Sequence, residues 1–180
     1  MNSCKGNILI STPDTLGDIF SRSVILIIEH DEGGAFGLIL NKMDEIASRE
    51  ITKRLNFHAE VYDGGPIRDQ RSFFLIKGDL SKEGYTRVNE HFSFTENMER
   101  VVVDIFLKKI RPEDVKIFVG YSGWHAGQLE EELSRNYWKK AKTSVDFAAL
   151  SSHDLWKDLM TSLGGEHLIW ANTPKDTRMN

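Results

Sequence analysis

Apolar runs separated by turn residues in the first half of the chain predict a group of short strands. Strands are predicted at 7–11 and 23–30, and the turn residues at 31–34 predict that the second strand folds back as a hairpin. The returning strand covers 35–40. Further strands are predicted at 61–66, which ends in a glycine turn, and at 72–77, 85–88, 115–121 and 168–170.

Apolar residues at helical spacing predict helices between and after these strands. A helix at 45–55 has Asp44 as its N-cap, and another covers 96–109 with Thr95 as its N-cap. A third helix extends to about Trp138, and a fourth contains Leu155 to Leu163 and stops at glycine. The helix at 96–109 carries an apolar stripe, which we expect to lie in the core, formed by Met98, Val101, Val102, Ile105 and Phe106.

The order of these elements favours an α+β fold over a regular βαβ winding, because the strands come early and the helices are interspersed irregularly. A chain of 180 residues suits one domain. We therefore expect residues 1–180 to form a single domain, with a tail that frays from about residue 172.

Composition and charge exclude several classes of function. The net charge is −4, and the two basic clusters at 108–111 and 139–142 fall at predicted helix ends, so direct reading of duplex DNA is not expected. No apolar run is long enough to span a bilayer and no signal peptide is evident, which predicts a cytoplasmic protein without membrane contact. Cys4 alone forms neither a disulfide nor a cysteine zinc site, and the scattered histidines predict no metal and no cofactor.

The stretch GYSGWHAGQLEEEL at 120–133 is the main candidate for chemistry. Its glycine spacing fits neither a dinucleotide loop nor a phosphate loop, and glutamates in the first helical turn would repel an anion. Trp124 occupies the last glycine position of a nucleophile elbow, which makes Ser122 a poor acyl-transfer nucleophile. Two interpretations remain: a tight connection in which Trp124 and Gln128 serve packing, or a binding surface built from Tyr121, Trp124 and Gln128.

Three sequence blocks together resemble the YqgE/AlgH family of bacterial proteins. The blocks are GAFGLILNK at 34–42, DGGPIRDQRSFFLI at 63–76 and the stretch that begins at Gly120. The resemblance implies an α+β fold in which helices surround a bifurcated mixed sheet that includes a small closed barrel. It also implies a cytoplasmic protein without an established activity, whose usual label of transcriptional regulator comes from a link to control of alginate biosynthesis. A shorter segment between Asn41 and Gly64 distinguishes this chain from many relatives.

Our first hypothesis is a non-enzymatic binding or regulatory protein that acts through a protein partner or a small ligand. In this hypothesis the three glycine-rich blocks meet in one candidate binding surface, formed by Asn41, Gly64, Gly65, Pro66, Tyr121, Trp124, Gln128 and Glu130. One alternative is an enzyme with a polar pocket that contains Asn41, Gln128, Glu130 and His30. The other alternative is a regulator that binds DNA directly.

Overall fold

The computed structural model describes residues 3–14, 18–141, 145–152 and 154–173. These residues contain nine strands and five α-helices. The strands are β1 (Ile8–Ser11), β2 (Val24–Asp31), β3 (Gly34–Ile39), β4 (Glu60–Asp63), β5 (Ile67–Lys77), β6 (Thr86–Arg87), β7 (Phe92–Thr95), β8 (Val115–His125) and β9 (Trp138–Lys140). The helices are α1 (Glu45–Leu55), α2 (Met98–Phe106), α3 (Gln128–Ser134), α4 (Leu155–Leu163) and α5 (His167–Asn172). Short 3-10 turns lie at Asp18–Phe20, Ser81–Glu83, Pro112–Asp114 and Ala148–Ser151.

The strands form one mixed sheet that branches at β8. Along the main path the order is β6-β7-β5-β8-β3-β2-β1-β9, and every pairing on this path is antiparallel. The first half of β8 also pairs in parallel with β4, where Glu60 lies opposite Lys116, and its second half pairs with β3, where Gly34 lies opposite His125. The α+β class and the branched mixed sheet are therefore confirmed.

The small closed barrel that the resemblance implied is not formed by the described strands. Their sheet is a curled half-barrel whose path is open, with β6 at one end and β9 at the other. The N-terminal side of β1 approaches the loop after β6, where Asn89 Nδ2 donates a hydrogen bond to the Gly6 carbonyl at 3.0 Å. This contact is a single side-chain hydrogen bond and not a strand ladder, so the path of the sheet stays open.

Three apolar clusters hold the helices against the sheet. The largest packs β1, β2, β3, β5 and β8 against α4 and the turn at Ala148–Ser151. A second cluster joins the opposite face of β1 and β2 to α3 through Trp124, Leu129 and Trp138. The third places Val101 of α2 against β5 and Tyr85. Helix α1 has no buried residue and contacts β4 at the periphery.

One predicted hairpin turn and one predicted helix cap are confirmed. The hairpin of β2 and β3 turns at 31–34 as expected, and Asp44 caps α1, accepting hydrogen bonds from the Ile46 and Ala47 amides at 3.0 and 2.9 Å. Both features depend on the chemistry of a few neighbouring residues, which the sequence states directly.

The prediction for α2 was partly wrong. The helix begins at Met98 with Asn97 as its cap, and Met98 and Phe106 are 56% and 84% exposed instead of lying in the core. The buried face contains Asp104, whose Oδ2 accepts a hydrogen bond from the Tyr85 hydroxyl at 2.7 Å. Asp104 therefore occupies part of the face that was expected to be apolar. The spacing of apolar residues in the helix could not indicate this, because the hydrogen-bond partner of Asp104 is the distant Tyr85.

Three other predicted elements differ from the structure. Strand β8 continues to His125, Trp138 begins β9 instead of ending a helix, and 168–170 lie inside α5. Strand β7 was not predicted. These elements are short or depend on pairing with distant strands, since β9 exists through its ladder with β1. The predicted fraying from about residue 172 concerns mainly 174–180, which lie outside the described residues.

Candidate functional site

The three glycine-rich blocks meet where the turn after β4 crosses β8. The Gly64 amide donates a hydrogen bond to the Val119 carbonyl, and the Gly64 carbonyl accepts one from the Ile39 amide, both at 2.9 Å. A Cβ atom at position 64 would lie 2.3 Å from the Gly120 carbonyl oxygen, and one at position 120 would lie 2.6 Å from the Gly65 carbonyl oxygen. The two backbones can approach this closely only because both carry glycine.

Tyr121 and Pro66 lie on either side of this glycine crossing. Pro66 is exposed, whereas Tyr121 is half-buried in an aromatic cluster, with its ring 5.3 Å from that of Phe36 and 5.7 Å from that of Phe73. The Arg71 guanidinium lies 5.4 Å from the Tyr121 ring centre and covers it. Tyr121 therefore packs with other side chains, and Pro66 is the more accessible of the two.

Trp124 and Gln128 take part in a saturated cluster around one carboxylate. Glu132 Oε2 accepts hydrogen bonds from the indole nitrogens of Trp124 and Trp138, each at 2.7 Å. Glu132 Oε1 accepts a third hydrogen bond from Gln128 Nε2 at 3.0 Å, and Gln128 Oε1 accepts one from the His125 amide at 3.0 Å. These contacts favour the packing interpretation of Trp124 and Gln128.

Glu130 contacts a buried histidine on the neighbouring strand. His30 Nε2 lies 3.1 Å from Glu130 Oε1, and the side chains are 1% and 41% exposed. His30 Nδ1 accepts a hydrogen bond from the Cys4 amide at 2.8 Å, which leaves Nε2 to carry the ring proton and face Glu130. This pair connects α3 to β2.

Asn41 lies apart from the Glu132 cluster, in the wall of a cleft. Its Oδ1 accepts a hydrogen bond from the Val24 amide at 2.9 Å, and its Nδ2 donates one to the Arg22 carbonyl at 2.8 Å. The cleft has a volume of about 280 Å³ and is lined by Ser21, Arg22, Asn41, Lys42, Asp154, Trp156 and Lys157. We call it the cationic cleft.

Three separate parts of the chain supply the wall of the cationic cleft. Arg22 precedes β2 and places its guanidinium 5.0 Å from the ring centre of Trp156. The Trp156 indole is fixed in the first turn of α4, where its nitrogen donates to the Ser11 carbonyl at 2.9 Å. Lys42 follows β3 and donates to the Ile19 carbonyl. Lys157 completes the set from α4.

The charges of the cationic cleft lack counter-ions among the described residues. Arg22 and Lys42 donate to the backbone carbonyls of Thr173 and Ile19, and neither of them nor Lys157 has a described carboxylate within 4 Å. Burial lowers the pKa of Lys42, and nearby Asp63 offsets this only in part. Three cations thus face one lining carboxylate, Asp154, so the cleft carries excess positive charge in a chain of net charge −4.

A second polar cluster joins β4 and β8 to the turn at Ala148–Ser151. Lys116 Nζ contacts Glu60 Oε2 and donates to the Ser151 hydroxyl at 2.9 Å, while the Tyr62 hydroxyl donates to Glu60 Oε2 at 2.7 Å. Burial raises the pKa of Glu60, but the hydrogen bonds from Lys116 and Tyr62 outweigh it and hold the pKa below its usual value. Glu60 thus ties the side chains of Lys116, Ser151 and Tyr62 into one network that joins β4 and β8 to this turn.

The eight predicted site residues therefore fall into two groups. The first group lies towards one region and contains Asn41, the glycine crossing at 64–65 and 120, Pro66 and Tyr121. The second group lies in another region, where Trp124, Gln128 and Glu130 surround Glu132 and His30. The polar pocket of the enzyme hypothesis is not assembled, because Asn41 is separate from the other three side chains. Sequence reasoning missed the lysines and arginine of the cationic cleft, since positions 22, 42 and 157 share no local motif.

Within the described residues, no group of three or more His, Cys, Asp or Glu side chains is placed to hold a metal ion. In the same ranges, no helix has the length and apolar character needed to cross a membrane.

The fold and the cleft define an α+β protein with a curled, branched sheet and a small positively charged recess beside its C-terminal helices. The profile of the AlgH-like family matches residues 8–168. The chain belongs to this family, whose function is uncharacterised. The structure is similar to the solution structure of the AlgH protein from Pseudomonas aeruginosa, with a TM-score of 0.69 and 26% identity over 97% of this chain and 96% of that one.

Other relatives agree with this assignment. A UPF0301 protein of Cytophaga hutchinsonii is 31% identical over 98% of both chains, and one of Parabacteroides distasonis is 33% identical over 98% of this chain and 91% of its own length. A crystal structure from Corynebacterium diphtheriae, 22% identical, has the same fold with a TM-score of 0.73, covering 93% of this chain and 91% of that one.

Proposed function

We propose that this protein is a non-enzymatic binding protein that takes a small anionic ligand in the cationic cleft. The observation that carries the proposal is the convergence of Arg22, Lys42 and Lys157 without a described counter-ion. Arg22 and Lys42 are half-buried, and such cations are normally paired, because desolvation disfavours an isolated charge. An anion in the cleft would supply the missing partner for both of them and would also face Lys157, which is exposed.

The size and shape of the cleft support a small ligand. A volume of about 280 Å³ lies just below the range for ligand pockets, which is roughly 300–1,000 Å³, so the ligand must be small. The Asn41 side chain is held by two backbone hydrogen bonds, and Trp156 is buried, so the wall is rigid. A rigid wall lowers the entropic cost of binding.

Binding is favoured over catalysis by the groups that line the cleft. Lys42 donates to the Ile19 carbonyl, which holds its nitrogen against the backbone. The hydroxyl that lines the recess belongs to Ser21, and among the described residues it has no hydrogen bond to an acid or a base, so no activated nucleophile is assembled there. We therefore place the enzyme hypothesis second.

A regulatory role completes the proposal. We propose that the whole chain acts as one cytoplasmic domain and that ligand binding alters its contact with a protein partner. Direct reading of duplex DNA is disfavoured, because α3 carries acidic residues in its first turn and most of the arginines outside the cleft are paired with carboxylates. Fluorescence anisotropy with a duplex tests that alternative, which a steep salt dependence would favour.

Isothermal titration with inorganic phosphate, sulfate and citrate tests the binding proposal. The variant Arg22→Gln/Lys157→Gln removes two charges, and we expect its affinity for the best anion to fall by about tenfold or more. Lys53→Gln, an exposed position on α1 outside the cleft, is the matched control and should bind as the wild type does. A circular dichroism melt of each variant confirms folding.

Two outcomes would contradict the proposal. One is the absence of saturable binding for every anion, and the other is equal affinity in the cleft variant and the control. Proton NMR of citrate incubated with the protein, followed over hours, tests the non-enzymatic part: the citrate should be recovered unchanged, and turnover would favour the enzyme hypothesis.

A further inference from the structure

A second concavity adjoins the cationic cleft and shares Lys42 with it. This groove has a volume of about 550 Å³ and is lined by Lys42, Met43, Asp44, Glu45, Ile46, Arg49 and Asp63. The two recesses are connected by backbone pairing as well, since the Asp63 amide donates to the Lys42 carbonyl at 2.8 Å. A ligand that places one end beside Lys42 in the cleft can therefore extend into the groove.

The groove has the opposite charge balance from the cleft. Its wall contains three carboxylates, from Asp44, Glu45 and Asp63, against the charges of Arg49 and the shared Lys42. Asp63 is partly neutralised by Arg68, whose Nη2 lies 2.9 Å from Asp63 Oδ2. A second anionic group would meet these carboxylates, whereas hydroxyl groups could donate hydrogen bonds to them.

Several polar atoms of the groove have spare hydrogen-bonding capacity. Asp44 caps α1 through Oδ1, and neither Glu45 nor Arg49 forms a side-chain hydrogen bond or ion pair with another described residue. Hydroxyl groups both donate and accept hydrogen bonds. They can therefore donate to the carboxylate oxygens of the groove and accept from the guanidinium of Arg49. Ile46, which is 65% exposed, adds an apolar surface that suits the C–H face of a sugar ring.

We propose that the ligand of this site is a sugar monophosphate, with the phosphate in the cationic cleft and the hydroxyl-bearing sugar in the groove. This inference depends on the proposed function, because it specifies the ligand of the same site. A second phosphate on the sugar would lie among the carboxylates of the groove, so it should not strengthen binding.

Isothermal titration with four probes tests this inference. Inorganic phosphate reports the cleft alone, and fructose alone reports the groove. Fructose 6-phosphate should bind about tenfold more tightly than phosphate, and fructose 1,6-bisphosphate should bind no more tightly than the monophosphate. Fructose without phosphate should bind at least a hundredfold more weakly than its phosphate ester. This is the loss in affinity expected when about two charged contacts to the phosphate are missing.

A pair of variants on α1 separates the groove from the cleft. Glu45→Ala should reduce the advantage of fructose 6-phosphate over phosphate by roughly threefold to tenfold, the loss expected for one solvent-exposed hydrogen bond, and leave phosphate affinity unchanged. Glu50→Ala, which changes an exposed glutamate of the same helix outside the groove, is the control and should change neither affinity.

The results distinguish failure of this inference from failure of the proposed function. If phosphate and every phosphate ester fail to bind, the anion-binding function itself is wrong. If phosphate binds but fructose 6-phosphate binds no better, or if the bisphosphate binds more tightly, the cleft is an anion site and the sugar assignment is wrong. An equal effect of Glu45→Ala on both ligands would also contradict the role of the groove.

Discussion

The Glu132 cluster and the cationic cleft both place tryptophan beside charged side chains. The charge is fully hydrogen-bonded in the cluster, whereas the charges of the cleft have no described counter-ion. Glu132 on α3 accepts hydrogen bonds from Trp124, Trp138 and Gln128. In the cleft, Arg22 and Lys42 donate hydrogen bonds to backbone carbonyls and pair with no described carboxylate, and Arg22 lies against the Trp156 ring. A charge whose partners are all internal stabilises the fold, whereas a charge without a counter-ion leaves free energy available for a ligand.

The largest effect should come from removing the carboxylate of the saturated cluster. Glu132→Ala leaves two indole donors and one amide donor without an acceptor, and we expect the free energy of unfolding to fall by about 3 kcal/mol. Urea denaturation measures this change. Glu131→Ala removes an exposed neighbour paired with Arg135 on the surface, so its cost should stay below about 1 kcal/mol. Similar losses in both variants would contradict the structural role of Glu132.

The glycine crossing tests whether close backbone approach, separate from either charged region, stabilises the fold. In Gly120→Ala the new Cβ would lie 2.6 Å from the Gly65 carbonyl oxygen at a φ of +76°, and we expect a loss of about 2 kcal/mol or more in the free energy of unfolding. Gly127→Ala has nearly the same φ, +78°, with no atom within 4 Å of the new Cβ, and should lose about 1 kcal/mol. Thermal and urea denaturation should rank the two variants in this order; the reverse order would refute close approach as the reason.

A hydrogen bond to Glu60 extends the comparison to pH. The usual pKa of a glutamate such as Glu60 is 4.5, and in the folded protein hydrogen bonds lower this pKa. These hydrogen bonds therefore stabilise the fold fully above pH 4.5, and their contribution to the free energy of unfolding is lost as the pH falls through the lowered pKa. Tyr62→Phe removes one donor and should cost about 1 kcal/mol at pH 7 but less near pH 3. Urea denaturation at both pH values measures the difference. Tyr121→Phe, whose hydroxyl has no hydrogen bond among the described residues, should show no pH-dependent change.

The smallest effect on stability is expected in the cationic cleft. Lys42→Met removes a charge whose pKa is already lowered by burial, so the free energy of unfolding should change by less than about 0.5 kcal/mol. The same variant should bind phosphate more weakly. Lys53→Met, at an exposed position, controls for the general effect of lysine replacement. A loss above about 1.5 kcal/mol in Lys42→Met would place Lys42 with the structural charges and remove the contrast.

Local chemistry explains which parts of the fold could be predicted from the sequence. The Asp44 cap and the turn at 31–34 depend on neighbouring residues, and both were predicted correctly. Strand β9 and the buried Asp104 depend on partners far along the chain, β1 and Tyr85, and periodicity carries no information about either. Prediction therefore failed where an element is defined by its long-range partner.

The same reasoning applies to the candidate site. The glycine blocks predicted one common surface, but the close backbone approach joins Gly64, Gly65 and Gly120 only, and Trp124 and Gln128 lie in the separate Glu132 cluster. Of the cationic cleft, Asn41 and Lys42 belonged to a sequence block, the one at 34–42. Its charges come from positions 22, 42 and 157, which no motif connects and which only the curled sheet and α4 bring together.

The open path of the sheet has a consequence for behaviour at high concentration. An unpaired strand edge is a template on which another chain can add, and closed barrels avoid this risk by having no edge. Here the two ends of the main path are short, with two residues in β6 and three in β9, and β9 carries Lys139 and Lys140. Two copies that met through β9 would bring these like charges together, so this end of the open half-barrel disfavours edge-to-edge pairing.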